Sequence, residues 1–252
     1  MKLKAQTISI EKLPSSTIDD LFSLYSKYYE GINYIQFSKD LSQKKKIIII
    51  RNSDNQLAGF STLTTFTIKS GTKRIKCIYS GDTVIEKKYW GTSALTIEFL
   101  KNIIIEKMKS PFTQVWWFLI SKGYKTYLLM ANNFHEYYPC YNKETPIHKK
   151  TLIRDLCEII YPGHLDEQKG LLYFEKDHDK LKEYVAPITE TMCKENPKIN
   201  YFQLRNPHWS NGDELACIGK VSFLLGVTHP LKILIKQLKK NAKRLSNAYE
   251  SR

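Results

Sequence analysis

Chemistry concentrates first in Ser80–Ile105, "SGDTVIEKKYWGTSALTIEFLKNIII". Asp82 and Glu86 bracket the end of a β-rich run. Lys87, Lys88, Gly91, Thr92 and Ser93 then lead into an apolar segment of helical length. A loop entering a helix exposes backbone N–H groups without internal partners, and those groups and the helix dipole favour anions. Gly91 permits close backbone approach, the hydroxyls add donors and the lysines add charge, so the chemistry indicated is pyrophosphate binding. Neither GxxxxGK[ST] nor GxGxxG occurs here. An ordinary helix-capping turn has the same composition, and Asp82 reads equally as a turn carboxylate.

A second polar concentration is "NPHWSNGDELAC", with Asn206, His208, Asp213 and Glu214. The two carboxylates suit a cationic amine and His208 suits a general base; the alternative is a turn built by Asn206-Pro207 and Gly212-Asp213. The six histidines are scattered and match no metal template, so no metal is expected. A third stretch is the C-terminal "HPLKILIKQLKKNAKRL". There Leu231, Leu234, Ile235, Leu238, Ala242 and Leu245 form a stripe among lysines, fit to pack on the domain or to make weak contact with an anionic membrane.

The elements that must position these residues read as follows. Ser15–Thr17 cap an amphipathic helix carrying Leu21, Leu24, Tyr25 and Tyr28, and a shorter helix starts at Phe37. Ile47–Ile50, Leu57–Ile68 and Ile75–Ile85 form a three-strand meander. A helix over about 94–108, a strand at Val115–Ile120 and a helix running to Pro139 follow. Beyond lie a helix over Pro146–Ile160, a strand "GLLYFE", a helix over Lys180–Lys194, a strand "NYFQL" and a strand "ACIGKVSFLL".

With 252 residues and 42% hydrophobic content the chain can bury a core. Its formal net charge of +14 favours anionic partners without choosing among them. Five widely spaced cysteines without C-x-x-C pairs read as reduced thiols. The N-terminus lacks a signal-peptide run and no apolar run reaches membrane-span length, so the reading is a cytoplasmic protein. No helix-turn-helix, zinc-finger or RNP signature appears, which argues against nucleic acid.

The element order over about residues 16–138, with "NQLAGFSTL" and "KYWGTS", resembles the GCN5-related N-acetyltransferase (GNAT) family. "WWFLISKGYKTY" and "NPHWSNGDELAC" also look like a poorly characterised bacterial branch related to it. "KYWGTS" lies where that family carries R/Q-x-x-G-x-G/A: Lys88 takes the basic position, Gly91 the first glycine, and Ser93 replaces the second small residue. The resemblance implies a mixed α/β fold with a mostly antiparallel central sheet flanked by helices. It implies a GNAT-like core over 1–140 and an α/β elaboration over 141–252, in one continuous domain.

The activity so implied is transfer of an acyl group from a coenzyme A thioester, or from an acidic acyl carrier protein, to a small-molecule amine. Val84, Ile85, Lys87, Lys88, Tyr89, Trp90, Gly91, Thr92 and Ser93 would bind the cofactor, with its pantetheine arm between the third and fourth strands. Asp82, Glu86 and Glu214 are candidate bases or amine-orienting groups. Tyr127, with Tyr124 as a second candidate, would protonate the leaving thiolate; Ser121 and Lys122 stand where the family often has an Asn. The rival expectation is a non-catalytic module whose basic surface binds anionic lipid or nucleic acid.

Overall fold

A computed structural model describes residues 3–174 and 179–226. The stripe expected at 231–245 lies outside the described residues. The chain begins with β1 (Lys4–Ser9), α1 (Ser15–Ser26), β2 (Tyr29–Glu30) and α2 (Tyr34–Ser42). The meander β3 (Lys46–Arg51), β4 (Leu57–Ser70) and β5 (Lys73–Ile85) leads into α3 (Ala94–Met108). Then come β6 (Gln114–Ser121), α4 (Tyr124–Asn133), β7 (Tyr137–Tyr138) and α5 (Ile147–Ile160). The remainder holds β8 (Leu165–Asp166), β9 (Leu171–Leu172), β10 (Lys180–Leu181), α6 (Glu190–Glu195), α7 (Pro197–Arg205) and β11 (Glu214–Val221).

One sheet runs β1-β3-β4-β5-β6-β11-β9-β8, with β7 on β11, and β10 pairs separately with β2. Strands from both halves of the chain thus share the sheet. Among the described strands the pairings are antiparallel except β5 with β6, the pair joined through α3 as a parallel crossover requires. That parallel pairing runs only from Ile75↔Gln114 to Tyr79↔Phe118. Beyond it β5 continues to Ile85 against β4 alone, while Leu119–Ser121 of β6 pair with β11. The two central strands therefore fork after Tyr79 and Phe118.

The sheet is covered on both faces, which explains its long β-branched and aromatic runs. On one face α3, α4 and α7 enclose Ile48, Ile78, Phe99, Ile103, Trp117, Met130 and Phe202. On the other, α1 and α2 cover Ile47, Ile49, Phe60 and Val84, and α5 covers Tyr79, Trp116, Phe118 and Ile218. Trp116 and Phe118 are fully buried, and Trp117 donates its indole N–H to Ser80 Oγ at 2.8 Å, at the root of the fork. Glu106 of α3 binds Lys76 of β5 at 2.6 Å, Lys46 of β3 at 3.3 Å and Lys109 at 3.0 Å, pinning the helix to the sheet.

One strand was not anticipated, and three sequence expectations change. "KAQTIS" is the edge strand β1, whose Thr7 hydroxyl bonds Glu98 of α3 at 2.7 Å. The helix expected to reach Pro139 stops at Asn133, and Tyr137–Tyr138 pair with β11. "NYFQL" lies in helix α7, because Pro197 occupies the first turn and the Asn196 side chain accepts from Lys198 N at 3.0 Å. The helix expected over Lys180–Lys194 is strand β10 and a strap to Ile188, with helix only from Glu190 after the Thr189 cap.

Candidate active site

The fork brings together charged side chains that are far apart in sequence. Lys122, one residue past β6, is held by Asp179 at 2.6 Å and Glu214 at 3.5 Å, and its ammonium lies 5.4 Å from the centre of the Tyr29 ring. Asp179 also accepts a hydrogen bond from Tyr25 of α1, whose ring stacks on Tyr29 at 4.1 Å. Glu214 arrives on the first residue of β11, opposite Leu172. Asp82 enters from the diverging part of β5 and interacts electrostatically with Lys44, Asp179 and Lys122. Lys44 stands over the Tyr79 ring at 5.0 Å, and Tyr79 and Tyr161 share a hydroxyl–hydroxyl hydrogen bond of 2.9 Å.

The protonation states follow from this packing. Burial pushes the Asp82 pKa above the usual carboxylate value, with Lys44 and Lys122 opposing and Asp179 reinforcing. Burial would lower Lys122, but Glu214, Asp179 and Asp82 outweigh it and hold the pKa above the ordinary lysine value. Tyr25 and Tyr29 are pushed well up by burial and by Asp82 and Asp179, so both keep their protons. The cluster is therefore one ammonium gripped by two carboxylates, with Asp82 as a third carboxylate nearby and a second lysine and tyrosine hydroxyls at its margin. It suits a cationic amine and offers in Asp82 a carboxylate with proton affinity above normal.

Asp82 and Glu214 of the sequence candidates meet here. Glu86 does not: it binds Lys27 at 3.1 Å and accepts from Tyr28 at 3.3 Å on the outer side of the loop. Tyr127 is fully buried among Tyr137, Tyr201 and Phe202, where its hydroxyl donates to Pro139 O at 3.3 Å and burial pushes its pKa far up. Tyr124, in the first turn of α4, is half-buried. In "NPHWSNGD" the Asn206 amide donates to Asp213 O at 2.8 Å and Trp209 to Gln203 at 3.0 Å, so this loop folds on itself; His208 is exposed and burial raises the Asp213 pKa. Lys122, Asp179, Tyr25, Tyr29 and Lys44 were missed. Only Lys122, a charge closing the apolar run "WWFLIS", carried a local signal.

The loop over 86–93 forms a short 3-10 turn at Lys87–Tyr89 before Gly91. Gly91 has φ +78° and a Cβ there would meet open space, so the glycine serves backbone conformation. Several loop amides are spent internally: Lys87 N on Tyr28 Oη at 2.6 Å, Trp90 N on Lys87 O at 3.1 Å and Thr92 N on Tyr89 O at 3.2 Å. Ser93 makes no side-chain cap, which leaves the first-turn amides of α3 without a side-chain acceptor from that residue, and Lys87 and Lys88 are exposed. Tyr89 is buried with its hydroxyl accepting from Asn52 at 3.1 Å, and Val84 and Ile85 pack into the cores of opposite faces. Trp90 is half-exposed, donates to Ile85 O at 2.7 Å, and lies 3.8 Å beneath the Lys125 ammonium.

No family model matches the chain, and no curated protein matches it. Among solved structures it is similar to a conserved protein of unknown function from Enterococcus faecalis described as a probable N-acyltransferase, at 14% identity, TM-score 0.40, over 52% of this chain and 32% of that one. It is also similar to an acyl-CoA N-acyltransferase from Pseudomonas aeruginosa, at 12% identity, TM-score 0.34, over 46% of this chain and 79% of that one. A GNAT family N-acetyltransferase from Escherichia coli in complex with CoA aligns at 10% identity, TM-score 0.36, over 48% of this chain and 65% of that one. The chain spans about a third of the length of the first of these. The fold itself is mixed α/β, with a mostly antiparallel sheet flanked by helices, the α3 crossover and the forked parallel pair at its centre. Among the described residues no helix is long and apolar enough to cross a membrane, and no three metal-ligating side chains cluster.

Proposed function

We infer that the protein transfers an acyl group from a thioester of coenzyme A, or of an acyl carrier protein, to an amine. The observation that carries this reading is the cluster of Lys122 with half-buried Asp179 and buried Glu214, with half-buried Asp82 close by, at the point where β5 and β6 part. The thioester carbonyl would lie at the fork and the amine beside Asp82. Asp82 takes the ammonium proton, directly or through water, and the freed nitrogen attacks the carbonyl carbon. The C–S bond then breaks and the thiolate takes a proton from a neighbouring acid. Tyr127, locked on Pro139 O, is poorly placed to be that acid, whereas half-buried Tyr124 stands at the start of α4 next to the fork. The phosphates would rest on the first-turn amides of α3 with Lys87 and Lys88, near open Gly91. A charge of +14 also suits an acidic carrier protein as donor.

Thiol release from coenzyme A and carrier-protein thioesters, measured across a panel of amines, tests the reading; amine-dependent release that falls in Asp82→Asn is expected. A non-catalytic module is the second reading, and one observation favours it: Leu181 and Ala186 of the chain itself crowd Gly123, where β5 and β6 have parted. Binding of a thioester without turnover on any amine, in a protein that also binds anionic vesicles or nucleic acid, would select it.

A further inference from the structure

Leu181 packs against the apolar clusters on both faces of the sheet, with α3 and α4 on one side and α1 and α2 on the other. A side chain reaches both faces where the sheet is open or where its strands end. The fork between β5 and β6 is such an opening. The neighbours of Leu181 agree: a Cβ on Gly123, just past β6, would lie 3.0 Å from Leu181 Cδ1 and 3.3 Å from Ala186 Cβ. Consecutive Val185 and Ala186 are both buried but join opposite cores, Val185 that of α1 and α2 and Ala186 that of α3 and α4.

The segment 179–188 is therefore a strap lying across the mouth of the fork, beside Gly123 and the start of α4. It is tied down by polar bonds at its length: Lys182 N to Tyr28 O at 3.0 Å, Lys182 Nζ to Ser26 O at 2.8 Å, Lys125 Nζ to Val185 O at 2.5 Å, and the Tyr184 hydroxyl to Lys27 O. Lys87 of the loop lies 5.9 Å from the Tyr184 ring. At the strap's first residue, Asp179 binds Lys122 and Tyr25. One short segment thus plugs the slot between the strands and completes the carboxylate cluster.

We propose that this strap is an internal gate on the donor slot: a thioester's extended arm binds between β5 and β6 only after residues 181–186 withdraw, and that withdrawal loosens Asp179 from Lys122 and Tyr25. The proposal rests on the acyl-transfer reading above. It makes donor entry and rearrangement of the acceptor cluster one event, because Asp179 and Leu181 are two residues apart. The fastenings are mostly lysine and tyrosine tips bonded to backbone carbonyls near the surface, which break more cheaply than a closed apolar core. The apparent donor affinity is the intrinsic one scaled by the fraction of molecules with the slot open.

A disulfide clamp tests it. Gly123 has an extended backbone (φ −144°, ψ 151°) open to side chains, its Cβ position lies 3.3 Å from Ala186 Cβ, close to disulfide spacing, and the Leu181 Cδ1 tip at 3.0 Å shifts slightly to admit it. In a Cys193→Ser background, since Cys193 is the one native cysteine that is not buried, the pair Gly123→Cys and Ala186→Cys is titrated with coenzyme A in oxidised and reduced states. The reduced protein controls for folding. Oxidation is expected to weaken coenzyme A binding by about tenfold or more. Leu181→Ala, which thins the plug, is expected to tighten it by about threefold to tenfold. Equal binding by oxidised and reduced clamp, with thioester turnover intact, would overturn the gate and leave the acyl-transfer reading standing. If no form binds coenzyme A, Leu181→Ala included, the gate falls together with the donor assignment.

Discussion

At the scale of single residues, Asp82 decides most. A carboxyl group whose pKa is raised in the folded protein contributes stability below its unfolded pKa and loses it as pH rises through the folded value. At neutral pH the ionised Asp82 is therefore a penalty, and Asp82→Asn is expected to raise the melting temperature at pH 7, with the difference fading towards pH values below about 4. The same variant is expected to lose about 10²–10⁴-fold in kcat/KM, and the acid limb of the wild-type pH–rate profile should lie above the ordinary carboxylate pKa. Stabilisation with loss of activity separates a working base from a turn carboxylate, whose removal would cost stability. Asp179 behaves oppositely. Its loss removes the 2.6 Å partner of Lys122 and leaves Glu214 at 3.5 Å, so Asp179→Asn is expected to cost about 1–3 kcal/mol in denaturant unfolding.

At the scale of elements, the loop and the α3 anchor give separate tests. Gly91→Ala meets no steric neighbour, so the positive φ sets its cost at about 1 kcal/mol, read as a small fall in urea midpoint. Gly91→Glu adds a negative charge where phosphates would lie and is expected to weaken coenzyme A binding beyond that folding cost. Burial would raise Glu106, but Lys76, Lys109 and Lys46 bring its pKa down to about 2. Its stabilisation is present above the ordinary glutamate value and is lost as pH falls towards 2. Glu106→Gln is thus expected to lower the melting temperature at pH 7 and to match wild type near pH 2.

The meander and α3 were legible because Ile47–Ile50 and the Ala94–Met108 segment declare their own periods. "NYFQL" misled because Tyr and Phe favour strands, while the decisive signal was the Asn196-Pro197 start. β1 has one strong apolar residue, Ile8, and becomes a strand through pairing with β3, which no local pattern encodes. The site was half legible. Asp82 and Glu214 stood in recognisable polar stretches, but Asp179, Tyr25 and Tyr29 reach the cluster through tertiary packing.

At the scale of the whole molecule, the C-terminal half supplies β11, β9 and β8 to the shared sheet, Glu214 and Asp179 to the cluster, and the strap to the fork. Residues from both halves of the chain thus build one centre between them. Asp82, Lys122, Lys44, Tyr79 and the tyrosines of α1 and β2 come from the first half, so neither half holds the cluster alone. The positive charge is likewise spread: the lysines at the fork neutralise carboxylates, whereas Lys87 and Lys88 lie exposed on the loop. The measurement that bears most directly on the account is free-thiol release from acetyl-coenzyme A and from acyl carrier protein thioesters over a panel of primary amines. Wild type, Leu181→Ala and Asp82→Asn would be compared. Amine-dependent release by wild type, faster in Leu181→Ala and lost in Asp82→Asn, is the predicted result. Release that is absent from every donor, or unchanged by Asp82→Asn, would contradict it.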